Sequence, residues 1–392
     1  MRFRKLGIFT AGVLLALTAC GSGSSGGGTS TPIKVGVTGP FTGNYAAPGI
    51  DIQNAAKVMA AQFNKSGGID GHQVEVLTAD DQCDAQVGVQ AAESLTSQGV
   101  IALAGGYCSG ASIPETDVLR RHNSIPFLAV ASSNPKLTEQ GYNNVFRLIT
   151  RDDLAGPEDI DFMWGVVKAK KFAIMHDNST YALGVAQFAK AEVQKLGGTV
   201  TYYDAITPGQ KDYTSALTKV SSTSPDAFYF TGYYPEAALL VKEYRDLGLD
   251  KRFYFHQGGA MYDPAYVSAA GSAADGTTVT FPVGPDTAKG PEFDSFKAAY
   301  KDQTGKTLAT YSIYEHDAFW MLKLAIEKSH STKPADINKA LHQVSYNGIT
   351  GAIKFNDKGD REHASIVAFK VQGGQFVPIY TWKGGTDWTP FS

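Results

Sequence analysis

The stretch VIALAGGYCSGASIPETDVLRRHNSIPFLAV, residues 100–130, decides the fold class. Val100 to Ala104 is a short apolar run of strand type. Gly105-Gly106-Tyr107-Cys108-Ser109-Gly110 is a turn, Ala111 to Arg121 reads as a helix, and Pro126 to Val130 as another strand. Strand, crossover helix and strand make a βαβ unit. Its strands lie parallel and its crossover is right-handed.

The alternation extends in both directions. Upstream, Ile33 to Val37 reads as a strand. Ile50 to Asn64 carries apolar residues at helical spacing (Ile52, Ala55, Ala56, Met59, Ala60, Phe63) and stops at Gly67-Gly68. Val74 to Leu77 is a strand and Ala85 to Ser97 a helix. Downstream the rhythm restarts: strands at Phe172 to Met175, Thr199 to Tyr203, Ala227 to Phe230 and Phe253 to Phe255 alternate with helices at Leu183 to Leu196, Tyr213 to Val220 and Ala237 to Leu247. Two such series predict two doubly wound α/β lobes. After Phe281-Pro282 come helical stretches at Glu292 to Lys301, Ile313 to Lys328 and Pro334 to Val344, then strand-like runs at Ile366 to Val371 and Phe376 to Tyr380. These leftovers predict a chain that passes between the lobes more than once.

The N-terminus reads as an export signal. Arg2, Arg4 and Lys5 precede the apolar run Leu6 to Leu17, which is short of the ~20 residues a membrane span needs. Leu17-Thr18-Ala19-Cys20 resembles a bacterial lipobox, which implies cleavage before Cys20 and lipidation of its thiol. Gly21 to Thr31 is a flexible tether. Cleavage takes the 35 basic residues to 32 against 38 acidic, so the formal charge moves from −3 to −6. An acidic chain without a basic block argues against nucleic acid as partner.

Ligands of open α/β sheets bind beyond the carboxyl ends of strands. The turn after Ala104 is glycine-rich, with Ser109 at the expected helix N-cap, an arrangement that suits a carboxylate. Ala131-Ser132-Ser133 follows the strand ending at Val130. The second series contributes Asp177 to Tyr181, Thr231 to Pro235 and His256 to Gly259. One wall is small and hydroxylated, and the facing wall supplies tyrosines and an amide. Cys83 and Cys108, each after a first-lobe strand, are the cysteines outside the leader region. Export is compatible with a disulfide; metal binding or thiol chemistry is the alternative, and neither cysteine has the Cys/His company it needs.

Enzyme signatures are weak. Gly23 to Gly27 matches G-x-S-x-G without the strand and helix that motif needs. Gly305-Lys306-Thr307 has a phosphate-loop tail, but Tyr300 stands where its first glycine belongs. No H-E-x-x-H occurs.

Asp80-Asp81-Gln82-Cys83-Asp84, Gly106-Tyr107-Cys108-Ser109, Pro135-Lys136-Leu137-Thr138, His176-Asp177 with Tyr181-Ala182-Leu183-Gly184, Gly232-Tyr233-Tyr234-Pro235-Glu236 and Asn356-Asp357-Lys358-Gly359-Asp360 resemble the leucine/isoleucine/valine-binding proteins. These are substrate-binding components of ABC importers. The resemblance runs from Ile33 to Tyr380 and implies a type I periplasmic-binding fold with three hinge crossings. It implies lobes at 32–151 with 283–364 and at 152–282 with 365–392, after a leader at 1–19 and a tether at 20–31. It also implies a Cys83–Cys108 disulfide.

Carried over by position, Ser109, Ala131, Ser132 and Ser133 hold the ligand carboxylate. Tyr181 and Tyr233 close over it, Tyr311 contacts the ligand side chain, and Tyr45, near Pro48, stands at the first-lobe tip. Where the family carries an acid for the ligand's ammonium, this chain has Gln257. Two readings stay open: a ligand without a free α-ammonium, or an ordinary amino-acid site completed by His256, another acid or water. The resemblance implies a monomer that needs no cofactor or metal. Its partners would be a membrane permease and its ATPase. The alternative is an extracytoplasmic sensor of a small carboxylate or amide.

Overall fold

The computed structural model describes residues 30–362 and 365–392. The leader, Cys20 and all but the end of the tether lie outside these residues. The chain begins with β1 (Ser30–Gly39), α1 (Ala46–Lys65), β2 (His72–Asp80), α2 (Ala85–Ser97), β3 (Ala102–Gly105), α3 (Ser109–Arg121), β4 (Phe127–Ala129), the single turn α4 (Lys136–Glu139) and β5 (Val145–Arg147). The strands form a parallel sheet in the order β2-β1-β3-β4-β5. The order reverses between β1 and β3, so a crevice opens beyond their carboxyl ends. Val35 and Val37 on β1 are buried with Ile52, Ala55, Ala56 and Met59 on α1, where the two-residue and 3.6-residue periods bring apolar faces together.

The second lobe opens with α5 (Asp152–Phe162), which runs into a π-helical turn at Met163–Val167. It continues with β6 (Lys171–His176), α6 (Thr180–Lys195), β7 (Thr199–Ala205), α7 (Thr214–Ser222), β8 (Ala227–Thr231), α8 (Tyr234–Asp246), β9 (Tyr254–Gln257), α9 (Pro264–Ala270) and β10 (Thr278–Phe281). The chain then returns to the first lobe. It forms α10 (Pro291–Thr304), α11 (Ser312–Ser329), α12 (Pro334–Leu341) and the hairpin β11 (Ser345–Gly348) with β12 (Gly351–Lys354). α11 packs on α1 and β3. Finally β13 (Val367–Gln372), β14 (Gln375–Gly384) and β15 (Asp387–Pro390) extend the second sheet antiparallel, giving β15-β14-β13-β10-β9-β8-β6-β7. The chain therefore passes between sheets after β5, after β10 and after β12.

The alternating elements expected from the sequence are present with ends shifted by a few residues. α4, β5, α5, α9, β10, the hairpin β11–β12 and β15 are additions. Gly156-Pro157 reads as a breaker, yet both lie inside α5. Gly156 is there because α6 presses close: a Cβ would stand 2.8 Å from the Val185 carbonyl oxygen.

The first and third crossings are tied by buried charge. The Arg147 guanidinium is fully buried and donates to Asp360 at 2.8 and 2.9 Å, while Nη1 donates to the Asn134 carbonyl at 2.7 Å. Arg151 reaches the other Asp360 oxygen at 2.8 Å. Burial works to raise the Asp360 carboxyl; the two arginines and Thr138 overcome it and leave it below the usual carboxylate range. Cys83 and Cys108 are joined by a disulfide, with Cα atoms 5.2 Å apart. It links the turns after β2 and β3, the strands that flank β1.

Candidate ligand cleft

A cavity of about 590 Å³, counting gaps that reach solvent, lies between the lobes. Ala131, Ser133, Ile149 and Thr150 line it from one side; Val185, Gly259, Ala260, Thr280 and Phe281 line it from the other. Tyr107, Tyr181, Tyr233 and Tyr311 complete the apolar part. Tyr233 is the hub of these rings, 5.5 Å from Tyr107 and 5.6 Å from Tyr181 between centroids. Tyr45 packs against Tyr233 at 5.0 Å and is not part of the lining. The lobes meet across the seam through Asn134 Nδ2, which donates to the Thr180 carbonyl at 2.9 Å, and the Tyr234 hydroxyl, which donates to the Asn44 carbonyl at 2.6 Å.

The glycine-rich turn after β3 bends where only glycine fits: Gly106 has φ +75°, and a Cβ would stand 2.6 Å from the Phe127 ring. The N-cap of α3 is Cys108, so Ser109 is the first helical residue and not the cap. Its hydroxyl accepts from the Asn134 amide at 3.3 Å, while the Ser132 hydroxyl donates to Ser112 at 2.7 Å. Both hydroxyls are thus engaged inside the first lobe, and neither residue lines the cavity. Ala131 and Ser133 do.

Gln257 is also turned away. It is buried, and its Nε2 donates to the Tyr266 hydroxyl at 2.9 Å on the α9 face of the sheet. The cavity wall at the end of β9 is Gly259 and Ala260, whose amide donates to the Tyr181 hydroxyl at 3.4 Å. The amide at 257 therefore says nothing about the charge of the ligand.

Three acids on α5 line the same cavity: Asp152, Glu158 and Asp159. Among the described residues, no lysine or arginine lines it. Asp159 is fully occupied, accepting from the Tyr229 hydroxyl at 2.6 Å, His256 Nε2 at 2.9 Å and the Thr280 hydroxyl. Asp152 is 0% exposed, and neither carboxyl oxygen has a well-formed hydrogen bond. Burial pushes its carboxyl up to about 7, against the downward pull of the Ser133 hydroxyl and the Arg147 and Arg151 charges. Such a group is costly until a cation or donor meets it. The sequence held a signal for these acids: residues 152, 155, 158 and 159 repeat at helical spacing, so three carboxyls share one face.

The model of one family, described as periplasmic binding protein, matches residues 32–375. The chain belongs to the periplasmic binding protein family. A Leu/Ile/Val-binding protein homologue of Brucella abortus is 31% identical over 373 residues, covering 95% of this chain and 97% of the relative. A leucine-, isoleucine-, valine-, threonine- and alanine-binding protein of Pseudomonas aeruginosa is 30% identical, with 86% and 89% covered. The crystal structure of a leucine-binding protein from Thermotoga maritima superposes with a TM-score of 0.82 at 27% identity, with 89% of this chain and 98% of that one covered. The fold is that of a type I periplasmic binding protein, a solute-binding protein and not an enzyme. Membership sets the chain to work outside the cytoplasm.

Proposed function

We propose that this binding protein is the lipid-anchored receptor of an ABC importer and that its ligand is an amino acid with a free α-ammonium. The observation that carries the ligand class is Asp152: a fully buried carboxyl that faces the cleft without a well-formed hydrogen bond. A charge-assisted contact from an ammonium answers its need, whereas a plain carboxylate would add a second negative charge beside it. Ala131, Ser133 and the turn before α3 receive the ligand carboxylate. Tyr181 and Tyr233 close over it by hinge motion about the crossings, the known movement of this fold. Leu17-Thr18-Ala19-Cys20 supports anchoring by Cys20, the relatives named above support capture of an amino acid, and solved structures of the same fold that are ABC-transporter substrate-binding proteins support a place in transport.

Titration calorimetry with amino acids and their deaminated 2-keto acids tests the ligand class. Amino acids bind and keto acids do not; the reverse order overturns the reading. For the anchor, Cys20→Ala expressed with its leader moves the protein from the membrane to the soluble fraction. A variant that stays membrane-bound removes Cys20 from that role.

A further inference from the structure

A single ammonium does not account for the acidity of the cleft. Glu158 is 5% exposed and lines the cavity, and its carboxyl makes no hydrogen bond or ion pair with any described residue. It lies six residues along α5 from Asp152, about 9 Å at 1.5 Å per residue. Between the two on the same face is Ala155, and Val185 and Phe281 line the cavity with them. The cleft thus offers two carboxyls in need of partners, separated by an apolar stretch, with no cationic side chain among the described residues of its lining.

We propose that the ligand is an amino acid with a basic side chain, its α-ammonium at Asp152 and its distal nitrogen at Glu158. This rests on the amino-acid reading above and narrows it. The extended chain between the two nitrogens of lysine spans roughly 7–8 Å. With a hydrogen bond at either end it fits between side chains rooted about 9 Å apart along a helix. The methylenes lie along Ala155, Val185 and Phe281, as the stems of basic side chains do on apolar surface. A branched aliphatic side chain would instead leave Glu158 buried without a partner, which costs affinity. Burial raises the Glu158 carboxyl well above its ordinary value, and the charges of Asp159 and Asp161 push the same way. A cation beside it offsets all three effects.

The test is calorimetry on the intact mature protein with L-lysine, L-ornithine, L-arginine, L-leucine and L-norleucine, the last being lysine's chain without its distal nitrogen. At least one basic amino acid is expected to bind tenfold or more tightly than norleucine. Glu158→Leu is expected to reverse that order. Glu158→Gln, which keeps the shape, should reduce the preference about tenfold and serves if the leucine variant fails to fold. Leucine or norleucine binding as tightly as every basic amino acid overturns the proposal while leaving the α-ammonium reading intact. An unchanged order in both variants, or no binding by any basic amino acid, also overturns it. Keto acids binding in place of amino acids would remove the underlying reading itself.

Discussion

Asp152→Asn separates a binding role from a structural one. The substitution keeps size and removes charge. In the liganded protein it takes away one partner of a buried, charge-assisted contact, a loss of about 2–5 kcal/mol. At 1.4 kcal/mol per decade that is roughly 30- to several-thousand-fold in affinity. In the empty protein the sign is opposite. The carboxyl rises from its ordinary 3.8 to about 7, chiefly through burial. A gap of that size corresponds to about 4 kcal/mol.

A folded carboxyl raised in this way keeps a proton that the unfolded chain has released. The empty form therefore loses stability as pH rises from about 4 to 7, carries the full cost above 7, and carries none below 4. Asparagine removes that cost, so at pH 8 the ligand-free variant is expected to melt at or above the wild type. Calorimetric titration and thermal denaturation from pH 4 to 8 measure both effects. An asparagine variant that binds within threefold of wild type refutes the ammonium role. One that binds poorly because it melts well below wild type at pH 8 makes Asp152 a structural residue.

Three further perturbations probe the frame around the cleft. Gly184→Ala sets a methyl 2.9 Å from Asn134 Nδ2, the donor of a hydrogen bond between the lobes, and should weaken ligand binding several-fold by calorimetry while leaving the melting temperature near wild type. Reduction of Cys83–Cys108, or paired serine substitution, opens a link of sequence separation 25 and should cost about 3 kcal/mol in urea denaturation. Asp360→Asn leaves Arg147 buried without its counter-ion and should cost about 3–5 kcal/mol. The stability that Asp360 contributes is present above the ordinary carboxylate range and is lost as pH falls through its lowered value, so wild type and variant should converge in acid denaturation.

The sequence made the two lobes legible because their strands are apolar runs bounded by glycine and their helices are amphipathic. α5 was hidden for physical reasons. Its carboxyls face the cleft and the lobe interior, so burial does not follow apolarity, and Gly156-Pro157 carries the signature of a loop. Packing against α6 overrides that local preference. Gln257 illustrates a different limit. Along a strand one residue of offset turns a side chain to the opposite face, and nothing in the sequence around His256 states where β9 ends. Ser109 and Ser132 show a third. A hydroxyl is legible as a ligand donor, but only the fold shows where it sits and what it already bonds: Ser109 accepts from the Asn134 amide and Ser132 donates to Ser112.

The acid face of α5 also has a kinetic consequence. When the lobes part, Asp152, Glu158 and Asp159 look into a low-dielectric crevice with no basic side chain among the described residues of its lining, on a chain whose net charge is already negative. Such a crevice focuses field lines outward and draws cations toward its mouth before any contact forms. Capture should then slow as ionic strength rises, while release, governed by contacts inside the closed cleft, should hardly change. Salt would thus set how fast the receptor fills and leave how long it stays filled almost untouched.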